Sequence, residues 1–151
     1  DEDSFDGKIH LDDGSPSTVG VPSHYRGGWS VEGKCPHGFG VQTFENGIEY
    51  KGVFKNGKYH GQGRKLYSRG GGYEGEFYEG MRSGAGISFY GDESLGRILR
   101  WEGPFVDNQA HGVGQAYVAA EVQDERWSGD TAVRGPMIEF VEGRPVDFPP
   151  S

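Results

Sequence analysis

The chain has 151 residues and a formal net charge of −8; 33% of residues are hydrophobic, 13% are aromatic and 28 are Gly. That is too little Leu, Ile and Val for a conventional two-layer core, and too many rings for a disordered chain. The acidic total argues against non-specific nucleic-acid binding.

The acidity is unevenly spread. Residues 1–13 carry Asp1, Glu2, Asp3, Asp6, Asp12 and Asp13 against Lys8. Their spacing does not match a twelve-residue calcium loop with its closing Glu, so residues 1–24 are expected to be a solvated acidic segment. Within it Phe5, Gly7 and Ile9 look like the opening half of a degenerate capping repeat.

Four segments then align with one another. The first has Tyr25, Gly27, Trp29, Gly33 and the run His37, Gly38, Phe39, Gly40. The second has Tyr50, Gly52, Phe54, Gly57 and His60, Gly61, Gln62, Gly63. The third has Tyr73, Gly75, Phe77, Gly80 and Ser83, Gly84, Ala85, Gly86. The fourth has Trp101, Gly103, Phe105, Asn108 and His111, Gly112, Val113, Gly114. Fixed-period self-similarity of this kind marks a repeat architecture. The units run about 25–49, 50–72, 73–100 and 101–118, with unequal lengths absorbed by inserts such as residues 91–96. The triplet Gly70, Gly71, Gly72 precedes a strand, not a helix, and reads as a loop. Residues 119–151 leave the pattern: Trp127, Gly129 and Thr131 form half a unit, and Pro136, Pro145, Pro149 and Pro150 predict an irregular or capping tail.

Each unit reads as a β-hairpin. Side chains alternate faces along a strand, so Tyr50, Gly52 and Phe54 share one face while Lys51 and Val53 take the other. The Lys55, Asn56, Gly57 triplet is a turn signal, and a second strand runs from about His60 to Tyr67. A strand Gly leaves a hollow that a ring can fill, each ring covering roughly 150–250 Å². Tyr25, Trp29, Tyr50, Phe54, Tyr73, Phe77, Trp101 and Phe105 are therefore expected to line one face as a continuous stripe. Val41, Thr43, Arg64, Leu66, Ile87, Phe89, Val113 and Tyr117 fall on the other. Four hairpins at a strand spacing near 4.8 Å extend about 40 Å, and sheet twist makes one face concave.

These units resemble the MORN (membrane occupation and recognition nexus) repeat. The Tyr-x-Gly-x-Trp/Phe opening, the turn glycines Gly33, Gly57 and Gly80, and the His-Gly-x-Gly closing carry the resemblance over residues 25–118. It implies an all-β, single-layer twisted antiparallel sheet of tandem hairpins acting as a non-enzymatic scaffold. It implies a protein partner held along the concave aromatic face, including an amphipathic helix of a cytoskeletal or motor-associated protein. Lipid binding and a role beside enzymatic domains are further implications. Asn108, in place of a turn Gly, and Ser83, in place of the His, depart from the pattern.

No catalytic, metal or cofactor constellation is expected. His37, His60 and His111 occupy one repeat slot and step about 10 Å apart, two strands per unit, so they read as turn-adjacent structural residues. Cys35 lies in the longer loop of the first unit, with neither an orienting group nor an oxyanion site in its pattern. One Cys permits no intrachain disulfide, which points to a reducing, cytoplasmic setting, cytoskeleton- or membrane-associated by the resemblance. No run approaches the roughly 20 apolar residues of a membrane span, and no secretory pattern opens the chain. It begins at Asp1, as an excised accessory region of a larger enzyme such as a lipid kinase or methyltransferase would.

Two binding surfaces follow. The ring stripe, from Tyr25 to Phe105, is the candidate partner contact, since aromatics dominate interface hot spots. The basic centre of Lys51, Lys55, Lys58, Arg64, Lys65 and Arg69, with Arg82, is the candidate site for an anionic membrane lipid; the simpler alternative is solvated strand-face charge. Exposed end strands allow an edge-to-edge homodimer.

Overall fold

The computed structural model describes residues 3–90, 98–119 and 132–146. The described residues contain no helix. Strand β1 (Asp3–Ile9) is followed by the hairpins β2 (Ser23–Ser30) and β3 (Cys35–Phe44), β4 (Glu49–Lys55) and β5 (Lys58–Leu66), and β6 (Gly72–Tyr78) and β7 (Met81–Phe89). Then come β8 (Ile98–Val106), the short β9 (Gln109–Ala110), β10 (Gly112–Ala119), β11 (Ala132–Val141) and the short β12 (Arg144–Pro145). All belong to one open antiparallel sheet in sequence order, with β9 paired to β8. The insert at 91–96, Trp127, Gly129 and Thr131, and Pro149 and Pro150 lie outside the described residues.

The register puts a line of glycines across the sheet: Gly27, Gly40, Gly52, Gly63, Gly75, Gly86 and Gly103 pair in succession. The rings sit over this line. A Cβ on Gly40, Gly63 or Gly86 would lie 2.2–2.3 Å from the hydroxyl of Tyr25, Tyr50 or Tyr73, and one on Gly114 would lie 2.6 Å from the Trp101 indole. Each hydroxyl donates to a carbonyl three residues on: Tyr25 to Gly28, Tyr50 to Val53 and Tyr73 to Glu76, at 2.6–2.8 Å. The ladder slips between Gly27 and Trp29, Gly52 and Phe54, and Gly75 and Phe77. A bulge recurring at one place in these three hairpins bends the strand and increases its twist, so the curvature of the strip is written into the repeat.

The core is one row of rings. Tyr25 meets Phe54 edge-on at 5.2 Å, Phe54 meets Tyr50 at 5.1 Å, and Tyr50 meets Phe77 at 5.4 Å. Phe77 meets Tyr73 at 5.1 Å, and Tyr73 meets Phe105 at 4.8 Å. Trp101 links Phe105 to Phe140, and Phe5 stacks on Trp29 at 4.2 Å. Edge-to-face pairs at such distances contribute roughly 0.5–1.5 kcal/mol each beyond area burial.

Three turns carry positive φ at both central residues: Asn56 and Gly57, Glu79 and Gly80, and Glu142 and Gly143. That is the mirror-image turn favoured by tight hairpins. In the fourth unit Asp107 and Asn108 do the same; Asn tolerates the left-handed region better than most residues, which explains its place in a glycine slot. Each turn is tied to the preceding hairpin. The amides of Gly57, Gly80, Asn108 and Gly143 donate to the carbonyls of Pro36, Tyr59, Arg82 and Ala110. The amides of Asn56, Glu79 and Glu142 donate to Nδ1 of His37, His60 and His111. Where Ser83 replaces the His, Asn108 Oδ1 instead accepts from the Arg82 amide and Nε.

Both ends join the sheet. β1 does not open a unit: Phe5 faces Gly27 and Gly7 faces Tyr25, the place of a closing strand. Residues 132–146, where the sequence predicts an irregular or capping tail, contain β11, which pairs with β10 and delivers Ile138 and Phe140 to the core. The ladder slips between Gln115 and Tyr117, opposite Gly135 and Pro136, the kind of place where a strand tolerates Pro. The 1–13 segment is not simply solvated either, because Ile9 is buried and the Asp13 side chain is 1% exposed.

Candidate functional site

The ring side of the sheet forms a trough of about 1180 Å³. Its floor is the central part of the ring row, and its walls include Tyr67, Arg82 and Tyr90. Residues 10–22, between β1 and β2, cross it as a strap. Leu11 packs against the core, and its carbonyl accepts from the buried Gln42 amide at 3.0 Å. Asn46 donates to the Ser17 carbonyl at 2.9 Å. Asp13 Oδ2 lies 2.6 Å from Lys65 Nζ and accepts from the Tyr59 hydroxyl at 3.2 Å. Its other oxygen accepts from the Ser15 amide, the Ser15 hydroxyl and Thr18.

The electrostatics follow from this seating. Burial by itself would raise the Asp13 carboxyl, but the Lys65 ammonium beside it, helped by Ser15, brings it down to about 2. Tyr59, stacked on Tyr50 at 3.6 Å and facing Asp13, is held far above the usual phenol range by burial first and by that carboxylate second. Arg82 lies over the rings of Tyr73 and Phe105 at 5.7 and 5.6 Å, and its guanidinium also bonds Asn108.

Each candidate residue can now be placed. The eight stripe rings do share one face, but seven are core: Tyr25, Tyr50, Phe54, Tyr73, Phe77, Trp101 and Phe105 are at most 5% exposed. Trp29 is partly exposed. The six basic candidates do not form one patch. Lys51 and Arg64 are direct cross-strand neighbours on the convex face, Lys55 and Lys58 flank a turn, and Lys65 points into the trough, paired with Asp13. Arg69 sits in the β5–β6 connection at the trough rim.

Sequence reasoning missed Tyr59, the strap, and the place of Lys65 and Arg82 in the trough. Strand alternation from Tyr50 already assigns its partner Lys65 to the ring face, so that signal was present. The strap left none, since a segment rich in Asp, Ser and Gly looks the same whether it is docked or free. Among the described residues no three His, Cys, Asp or Glu side chains gather to hold a metal ion.

The structure is thus an open repeat array in which each hairpin seats its ring on its own glycine and locks its turn to the hairpin before. Residues 36–49, 50–72 and 73–94 match the MORN repeat family model in three consecutive segments. The same glycine ladder and ring row continue from β2 to β8. No curated protein matches the chain. MORN repeats are a non-enzymatic module that interacts with proteins or membranes.

Proposed function

We propose that this chain is a non-enzymatic scaffold that binds a protein partner in the trough on its ring side. The observation that carries the reading is the trough itself: about 1180 Å³, walled by Tyr67, Tyr90 and Met81 and rimmed by Lys58 and Arg69. A concave surface with exposed ring and methionine edges beside fixed cations suits protein recognition. The buried rings shape the floor, and the contact passes to the wall residues and to Trp29. An amphipathic helix, the partner form that the resemblance implies, is about 10 Å across; it either lies over β5–β8 or displaces the strap.

The membrane reading keeps only a small basis. Lys51 and Arg64 adjoin on the convex face, and two basic residues supply about 2 kcal/mol of attraction to an anionic surface.

Site-specific photo-cross-linking tests the proposal. A cross-linking residue at Met81, in the trough, is expected to capture a defined protein in cells, whereas one at Phe39, exposed on the convex face, captures none. Capture only from position 39, or anionic-lipid-dependent pelleting with no cross-link from either position, refutes it.

A further inference from the structure

Strands β1 and β2 are adjacent and antiparallel, yet residues 10–22 separate them. Neighbours of this kind need roughly two to five connecting residues. The surplus is the strap, and it forms no strand. Its turn hydrogen bonds are internal, from Thr18 to Ser15 and from Val21 to Thr18. It is held to the sheet by Leu11, by the Gln42 and Asn46 side chains, by the Glu45 amide donating to the Pro22 carbonyl, and by Asp13. Segments with few ladder bonds open far below the free energy of global unfolding.

The chemistry of the seat is specific. The Lys65 side chain is 12% exposed. With the strap seated the ammonium is nearly dry and Asp13 compensates it. With the strap out it is hydrated but has lost that carboxylate, and only a ligand that covers it and brings another avoids an uncompensated buried charge. The trough therefore selects another carboxylate whenever the strap is out. The rest of the lining agrees. Lys58, Lys65, Arg69 and Arg82 face Asp12, Asp13 and Glu79, and departure of the strap removes two of those three acids.

We propose that residues 10–22 are a built-in ligand of the trough, seated by the Asp13–Lys65 ion pair, and that an acidic segment of a partner protein takes the same seat when they leave. The strap is then a competitor that sets the affinity for the partner. This rests on the trough being the binding face, and it adds the partner's chemistry and the means of regulation. Within the strap, Ser15 and Thr18 hold the Asp13 carboxylate in a tight turn. The partner segment accordingly carries Asp or Glu in a turn of small polar residues.

Calorimetric titration of the full chain with a synthetic peptide of residues 10–22 tests this. Freeing the seat raises the competent fraction, so the Asp13→Asn chain is expected to bind the peptide at least about tenfold more tightly than wild type. A peptide with both Asp replaced by Asn should not bind, and adding Lys65→Glu to the chain should abolish binding. Equal affinity for the two chains, or none for Asp13→Asn, overturns the proposal. So does pelleting of Asp13→Asn with anionic vesicles in place of peptide binding. Exchange at the Thr18 and Val21 amides gives a second readout on the unaltered protein: it must quicken as peptide binds, and unchanged exchange with peptide bound also overturns the proposal. Because the probe is synthetic, its failure leaves the Met81 cross-linking result standing, and the reverse holds.

Discussion

Replacing Gly63 with Ala adds one methyl where the packing has no room for it. The new Cβ would stand 2.3 Å from the Tyr50 hydroxyl and 2.5 Å from its ring. Tyr50 cannot simply lift away, because it stacks on Tyr59 at 3.6 Å and meets Phe54 and Phe77 edge-on. Either the ring shifts and its hydroxyl loses the 2.8 Å bond to Val53, or the backbone of β5 moves off β4. Overpacking of this kind costs roughly 1–3 kcal/mol, and the lost hydrogen bond adds about 1 kcal/mol. The better strand propensity of Ala returns at most about 1 kcal/mol. The net expectation is a loss of about 1–3 kcal/mol. Urea unfolding followed by tryptophan fluorescence should show the midpoint falling by about 1–2 M with an unchanged slope. A double-mutant cycle isolates the cause: in a Tyr50→Leu background the same Gly63→Ala change should cost under about 1 kcal/mol, since the ring it strikes is gone. An equal cost in both backgrounds would refute the ring-on-glycine account and assign the effect to the backbone.

His60→Ala removes the acceptor for the Glu79 amide and should lower stability by about 1 kcal/mol, while Ser83→Ala, at the position where Asn108 has taken over, should stay within about 0.5 kcal/mol of wild type; the two are compared by urea titration. Burial, with a contribution from the Cys35 thiol, holds Tyr25 up to about 12, and burial likewise holds Tyr73 up to about 12. The neutral phenols are thus favoured by folding, and that stability, complete below pH 10, is lost as pH rises through about 12. Tyrosinate absorbance and circular dichroism should change together on alkaline titration, and ionisation of these rings in a still-folded chain would contradict it. At the other end, Asp13 is lowered from 3.8 to about 2, so its contribution of about 1–2 kcal/mol is present above pH 3.8 and disappears as pH falls toward 2. Asp13→Asn should remove that part of the acid slope in stability measured from pH 5 to 2, and an unaltered slope would mean that the Lys65 pair carries no stability.

The repeat was legible because its period is covalent. Tyr, Gly and Phe two residues apart must share a strand face, and Gly at a fixed distance from each ring records where the ring sits. The hairpins, the ring stripe and the turns at Asn56, Glu79 and Asp107 follow from spacing alone. The phase of the ends did not follow. Phe5, Gly7 and Ile9 suggest an opening strand, and only pairing with β2 shows β1 to be a closing one. Phe140 took its place through the contact with Trp101; Gly143 keeps the turn spacing of the repeat, but Ile138 stands where the strand glycine would be.

What the sequence by itself determined is the local geometry: alternation, turn type and the match of each ring to its own glycine, all set within about twenty-five residues by sterics. What only the tertiary structure decided is which surface remains accessible. Whether Tyr50 and Phe77 are contact or core, whether Lys65 is free or paired, and whether Asp13 is solvated or docked depend on strands and a strap that meet across long separations. Strand periodicity says which face a side chain takes and nothing about what covers that face.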